Sequence, residues 1–268
     1  MFVDTHCHLN MMVKTEFDTL LKPEHFVLVH DIIEQAKRAG VTQIINVGTS
    51  LPESMNSVAL AQHFDNVYAT VGLHPCDCTP TWRKDFEDIV RLVKNKEENK
   101  IKAIGEVGLD FYHKPFDAQR QVDAFKAQIE LALEYNLPLV IHVRDAGEEL
   151  LRVLEEYVKE IKGATIHCFS QKQDFADIVV GWGFYIGIDG PITYPKNDEL
   201  RSIVKATPLE HIILETDAPF LPPQQYRGKQ NSPVYLPLFA QTIADLKGVS
   251  LEELARQTTA NATKLFDL

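Results

Sequence analysis

Short apolar runs alternate with longer amphipathic stretches from one end of the chain to the other. The runs over 2–4, 41–47, 67–71, 101–104, 138–141, 164–166, 184–188 and 211–214 read as strands. The stretches between them carry apolar residues at helical spacing. Phe86, Ile89, Val90 and Val93 mark a helix over 82–96. Phe125, Ile129 and Ala132 mark one face of a helix that Asp117 caps and that runs to Tyr135. Further helices are expected over 23–38, 52–64, 147–161, 174–182 and 198–206, and two more, 234–246 and 251–266, follow the last strand. Ser250 is a good N-cap for the last helix, and Glu253 completes a capping box. A Pro-rich stretch over 222–233 is too broken for a regular element. The connection from Leu9 to about Pro23 mixes Met11, Met12, Phe17 and Leu20 with charges.

Eight strands, most of them followed by a helix, predict a TIM-type (β/α)8 barrel with C-terminal helices. A doubly wound open sheet is the alternative. It would place a Gly-rich phosphate turn after an early strand, and the loops after the first two strands contain none. With no linker, low-complexity segment or repeat, residues 1–268 are expected to form a single domain.

Composition narrows the function classes. Hydrophobic residues make up 45% and charged residues 24%, as in an ordinary soluble globular protein. No apolar run approaches a membrane span, and the N-terminus lacks a basic region followed by an apolar core. A cytoplasmic protein without a membrane partner is expected. The cysteines, Cys7, Cys76, Cys78 and Cys168, form no Cys-x-x-Cys pair and read as free thiols. A net charge of −11 argues against a broad sequence-independent coat of nucleic acid. It leaves room for attack on a strand end or a small phosphoester, because bound divalent cations reverse the potential within one pocket.

The candidate chemistry begins with Asp4-Thr5-His6-Cys7-His8. Alternation along a strand turns His6 and His8 to the same side, where two imidazoles can grip one metal ion. His74 follows the third strand, Glu106 the fourth, His142 the fifth, His167 the sixth and Asp217 the eighth. These positions lie on the rim where barrel enzymes carry their catalytic groups. His6, His8, Glu106, His142, His167 and Asp217 are more ligands than one ion needs, and the donor types suit zinc, manganese or magnesium. A buried Glu106 without a partner would be costly, and a metal offsets that cost. Asp217 reads either as a ligand or as the start of the turn before Pro219. His63 and His211 read as structural residues, and His25, His30 and His113 as surface residues.

These motifs resemble the TatD family of metal-dependent hydrolases, within the amidohydrolase superfamily. The resemblance rests on Asp4-Thr5-His6-Cys7-His8, Gly72-Leu73-His74-Pro75 and Ile104-Gly105-Glu106-Val107-Gly108-Leu109-Asp110. It continues through Ile141-His142-Val143-Arg144-Asp145-Ala146, His167-Cys168-Phe169-Ser170, Glu215-Thr216-Asp217-Ala218-Pro219 and Arg227-Gly228-Lys229 with Asn231. It implies two divalent ions (Mg2+, Mn2+ or Zn2+) on the six ligands, with Glu106 bridging them. It also implies Asp217 and Glu106 as the catalytic carboxylates, and His74, Ser170, Arg227, Lys229 and Asn231 as substrate contacts. The implied activity is that of a deoxyribonuclease, an exonuclease on single-stranded DNA or strand ends, working as a monomer with water activated by two metals. The alternatives are a metal-dependent esterase such as a D-aminoacyl-tRNA deacylase, and a non-catalytic binding protein on the same barrel. Three departures stand out. Asn10 replaces the family's usual Asp, Gln171 replaces a small residue, and the stretch from Met11 to about Leu28 is long enough to form an extra lid or edge.

Overall fold

In the computed structural model, which describes all of Met1–Leu268, the apolar runs form eight strands. They are β1 (Phe2–Cys7), β2 (Val41–Val47), β3 (Val67–Val71), β4 (Ile101–Asp110), β5 (Leu139–Arg144), β6 (Ala164–Ile166), β7 (Tyr185–Ile188) and β8 (Ile212–Leu214). A four-residue helix, α1 (Leu9–Met12), follows β1, and α2 (Pro23–Arg38) precedes β2. The later helices are α3 (Leu51–His63), α4 (Trp82–Lys94), α5 (Ala118–Tyr135), α6 (Gly147–Glu155), α7 (Gln173–Gly181), α8 (Asp198–Ala206), α9 (Leu236–Lys247) and α10 (Leu251–Phe266). The sheet order runs β1 through β8 in sequence, as expected of the (β/α)8 barrel class.

The helix ends follow local chemistry. Asp117 accepts the Arg120 N–H at 3.0 Å to open α5, and Ser250 accepts the Glu253 N–H at 3.1 Å to open α10. Three strands run further than the apolar runs: β1 to Cys7, β4 to Asp110 and β5 to Arg144. The extra length of β4 and β5 comes from their mutual ladder, in which Val107, Gly108, Leu109 and Asp110 lie beside Ile141, His142, Val143 and Arg144. Helix α6 stops short of the expected Ile161, because its last buried apolar position is Leu154.

The chain packs as two compact units. The first comprises Met1–Thr15, Leu21–Asn46 and Cys168–Leu268. In it β1 pairs with β2 and β7 with β8, both parallel. β8 lies along β1, where the Thr5 hydroxyl donates to the Leu214 carbonyl at 3.0 Å and Cys7 bridges to Ala218. Ile44, Ile45, Phe239, Leu254 and Phe266 are buried in this unit.

The second unit comprises Glu16–Leu20 and Val47–His167. Its strands β3, β4, β5 and β6 pair in sequence, all parallel. Ile89, Ile104, Phe125 and Ile129 fill its interior, each such side chain contributing about 1.5–3 kcal/mol by leaving water. The segment Glu16–Leu20 is pinned to the start of α3. The Asp18 N–H donates to Glu53 at 2.7 Å, the Ser50 hydroxyl to Asp18 at 2.5 Å, and the Asn56 amide to the Thr19 carbonyl at 2.8 Å. The irregular part of the expected lid is therefore only 13–22, since α1 and α2 claim its two ends. No helix is long and apolar enough to cross a membrane.

Candidate metal centre

In the first unit the ends of β1 and β8 are bound together by buried polar groups. Asp4 is fully buried and accepts both the N–H and the hydroxyl of Thr216, at 2.9 and 2.6 Å. Burial pushes the Asp4 carboxyl up to about 7, against the pull of those hydrogen bonds. The His6 carbonyl accepts the Asp217 N–H at 2.8 Å, and the Ala218 carbonyl accepts the His8 N–H at 2.8 Å. Asp217 adopts a left-handed backbone, with φ 54°, which Asp tolerates better than most residues. The result is a convergence of donors. The Nε2 atoms of His6 and His8 stand 3.1 Å apart, and Asp217 Oδ1 lies 3.6 Å from the first and 3.3 Å from the second. Glu215 accepts the Cys168 N–H at 2.5 Å and so serves as an anchor, as its place on the opposite face of the chain implies. A side chain on Gly187 would collide with that carboxylate.

In the second unit the length of β4 decides the arrangement. Alternation along the strand gives Glu106, Gly108 and Asp110 one common face. Gly108, with φ 138°, lets β4 lie directly against the backbone of His142, where any Cβ would meet the His142 carbonyl. His142 then spans two carboxylates, with Nδ1 3.0 Å from Glu106 Oε1 and Nε2 3.0 Å from Asp110 Oδ2. The Nε2 atoms of His74 and His167 each approach the same Glu106 oxygen at 3.5 Å. Burial alone would depress the proton affinity of His142, but the bonds to Asp110 and Glu106 outweigh it and raise it. For Asp110 the hydrogen bonds from His142 and His113 outweigh burial in the other direction and hold its carboxyl well below the usual range.

His74 differs from its neighbours. Burial and the nearby His142 charge push it down to about 3, so its ring is neutral at physiological pH. Its Nδ1 accepts the Cys76 N–H at 3.2 Å, which leaves the single ring proton on Nε2, facing Glu106. His74 is thus a hydrogen-bond donor, although it also stands within ligand distance of Glu106 and His142.

Ligands about 2.0–2.2 Å from a divalent ion stand roughly 3 Å from one another. The 3.0–3.6 Å separations within each unit match that spacing, and the mixture of imidazole nitrogen and carboxylate oxygen is the donor set of zinc, manganese and magnesium. The residues present fit such ions.

The family model for TatD-related DNases matches residues 3–267. The chain belongs to the TatD family. Among TatD relatives, a protein of Bacillus subtilis described as the uncharacterized metal-dependent hydrolase YabD is 37% identical over 268 residues, covering 99% of each chain. The 3'-5' ssDNA/RNA exonuclease TatD of Citrobacter rodentium is 37% identical over 255 residues, 92% of this chain and 95% of that one. The crystal structure of the TatD homologue YJJV from Escherichia coli superposes with a TM-score of 0.89 at 28% identity, covering 100% of this chain and 98% of that one.

The residues that the TatD resemblance pointed to as substrate contacts fare unevenly. Ser170, Arg227 and Lys229 are exposed. Arg227 lies over the Tyr194 ring at 4.9 Å and Lys229 over the Tyr226 ring at 5.7 Å. Asn231 is placed differently from these three. It is fully buried, and its amide donates to the Thr216 and Phe220 carbonyls at 2.7 and 2.6 Å while accepting the Ser232 N–H at 2.8 Å. These bonds hold the loop after β8. Two TatD positions acquire roles that sequence reasoning had not given them: Asp4, which braces Thr216, and Asp110, which braces His142. Both carboxylates stand within a few residues of a proposed ligand on the same strand.

Proposed function

We propose that this protein removes nucleotides from the 3′ end of single-stranded nucleic acid by phosphodiester hydrolysis, using two divalent ions, Mg2+, Mn2+ or Zn2+. His6, His8, Glu106, His142, His167 and Asp217 would hold the ions. The observation that carries this reading is the convergence of imidazole nitrogens on single carboxylate oxygens, Asp217 Oδ1 in one unit and Glu106 Oε1 in the other. The exonuclease named among the relatives supports the choice of substrate. Bound ions supply Lewis-acid polarisation of the phosphoryl group and acidification of water.

The chain's own groups do the rest. Asp217 orients the attacking water and accepts its proton. Neutral His74 offers its Nε2–H to a phosphoryl oxygen, and keeps that proton because Nδ1 is engaged by Cys76. Arg227 presents a planar fork to a flanking phosphate, with Lys229 as a second charge. Their tyrosine partners hold both side chains on the exposed loop. Ser170 adds a neutral hydrogen bond.

The test is nucleotide release from end-labelled single-stranded DNA with magnesium, manganese or zinc. A Glu106→Ala, Asp217→Asn double variant is assayed alongside. Release from the 3′ end by the native protein alone, abolished by chelator, is expected. A protein shown to contain metal that releases nothing, yet cleaves aminoacyl-tRNA or small esters, would overturn the nuclease reading.

A further inference from the structure

A second group of metal-type donors lies outside the proposed ligand set. Cys76, Asp110 and His113 each offer one donor atom, and the three atoms lie within 4.8 Å of one another. The group is built from rigid pieces. Cys76 sits in a single turn, Pro75–Asp77, whose first residue has its φ fixed by the proline ring and whose Cys76 N–H is tied to His74. Asp110 ends β4 and is fully buried. Its Oδ1 accepts the N–H groups of Tyr112 and His113 at 3.0 and 2.9 Å, which folds the following turn back over it. That turn brings His113 Nδ1 to 2.8 Å from Asp110 Oδ2. Cys76 and His113 are exposed, so an ion can reach the group from solvent without disturbing the interior.

We infer that Cys76, Asp110 and His113 form a third, accessory cation site, for one thiophilic divalent ion of the zinc class, distinct from the proposed pair. Thiolate, imidazole and carboxylate together are a zinc-type donor set, and three protein ligands leave one position open. An ion there displaces the thiol proton of the exposed Cys76 to solvent water and takes the place of the hydrogen bond between His113 and Asp110. It also shares Asp110 Oδ2 with His142, whose Nε2 lies 3.0 Å from that oxygen. Occupancy of the site therefore draws on the carboxylate that steadies a proposed ligand of the metal centre, which makes it a place where the free concentration of such an ion tunes the enzyme. The sulfur is what marks the site out. The metal centre proposed above consists of nitrogen and oxygen donors alone.

That difference supplies the test, and it does not depend on the protein being a nuclease. The full chain is stripped of metal and titrated with cobalt(II) alone, and the thiolate-to-cobalt charge-transfer absorption is followed beside equilibrium dialysis. The expected result is a charge-transfer band in the native protein and in Cys78→Ala. The band is lost in Cys76→Ser, with one fewer cobalt bound per chain, and weakened in His113→Ala. Circular dichroism of the exposed-site variants checks that each is folded. No band at saturating cobalt, or a band that survives in Cys76→Ser, would overturn the assignment. Failure of the nuclease assay with the band intact would count against the proposed reaction and leave this site standing.

Discussion

Asp110 gives its two oxygens different tasks: one fixes a turn through the N–H groups of Tyr112 and His113, and the other faces His142. Partners of this kind set the orientation and basicity of a metal-binding imidazole, and their loss typically costs about 10–100-fold in metal affinity. Asp110→Asn is expected to weaken metal binding by about that factor with the far-ultraviolet spectrum unchanged, as read by competition with a fluorescent chelator. His74 supports a prediction of another kind. With its pKa pushed down to about 3, it is neutral across the working range, and its charge is gained only as pH falls towards that value. His74→Ala should lower kcat/KM without adding or removing a limb of the pH profile between about pH 5 and 9, since no titration of His74 falls there. Glu106, the histidines and Asp217 were legible in the sequence because each closes an apolar run. Asp110 was not, because Gly105 and Gly108 break the apolar run after Ile104 and only Val107 and Leu109 mark the strand's continuation. Once the strand is known to reach Asp110, a period of two places Glu106 and Asp110 on one face. The burial of Asn231 was not legible either: an amide in a polar, Pro-rich stretch looks solvated, and its burial depends on carbonyls at Thr216 and Phe220 that no local pattern reveals.

At the scale of the element, the pairing of β4 with β5 carries two of the second unit's proposed ligands, Glu106 and His142, and at Gly108 the two backbones leave no room for a Cβ. Gly108→Ala adds a methyl group against the His142 carbonyl at a positive φ that L-residues avoid. It should destabilise the fold by at least about 2 kcal/mol, measured as a lower urea midpoint at unchanged slope, and reduce metal content at the same time. The helices were read closely because their faces repeat, as in α5 and α10, whose caps Asp117 and Ser250 are also where the sequence placed them. The stretch after β1 was harder. Leu9 and Met11 are buried in a single helical turn too short to show a period, and Glu16–Leu20 owes its place to Ser50, Glu53 and Asn56, residues more than thirty positions away.

At the scale of the whole molecule, a net charge of −11 sets how nucleic acid is met. Few phosphates can be neutralised at once, so the affinity for an uncleavable single strand should fall with salt at a log–log slope no steeper than about −2, measured by fluorescence anisotropy. Removal of metal should lower thermal stability, and restoring an ion at 100 times its dissociation constant should return about 2.7 kcal/mol, followed by calorimetry. The order of the strands has a further consequence, in time. The second unit takes all its strands from one continuous stretch, Val47–His167, whereas β1 lies beside both β2 and β8, and β8 begins only at Ile212. At a synthesis rate of about 5–20 residues per second, β1 waits on the order of ten seconds or more for its last neighbour to leave the ribosome. During that interval the nascent chain already carries the imidazoles of His6 and His8, but the carboxylate of Asp217 does not yet exist. The first donors of the proposed metal centre are made at the start of translation and their carboxylate partner near its end.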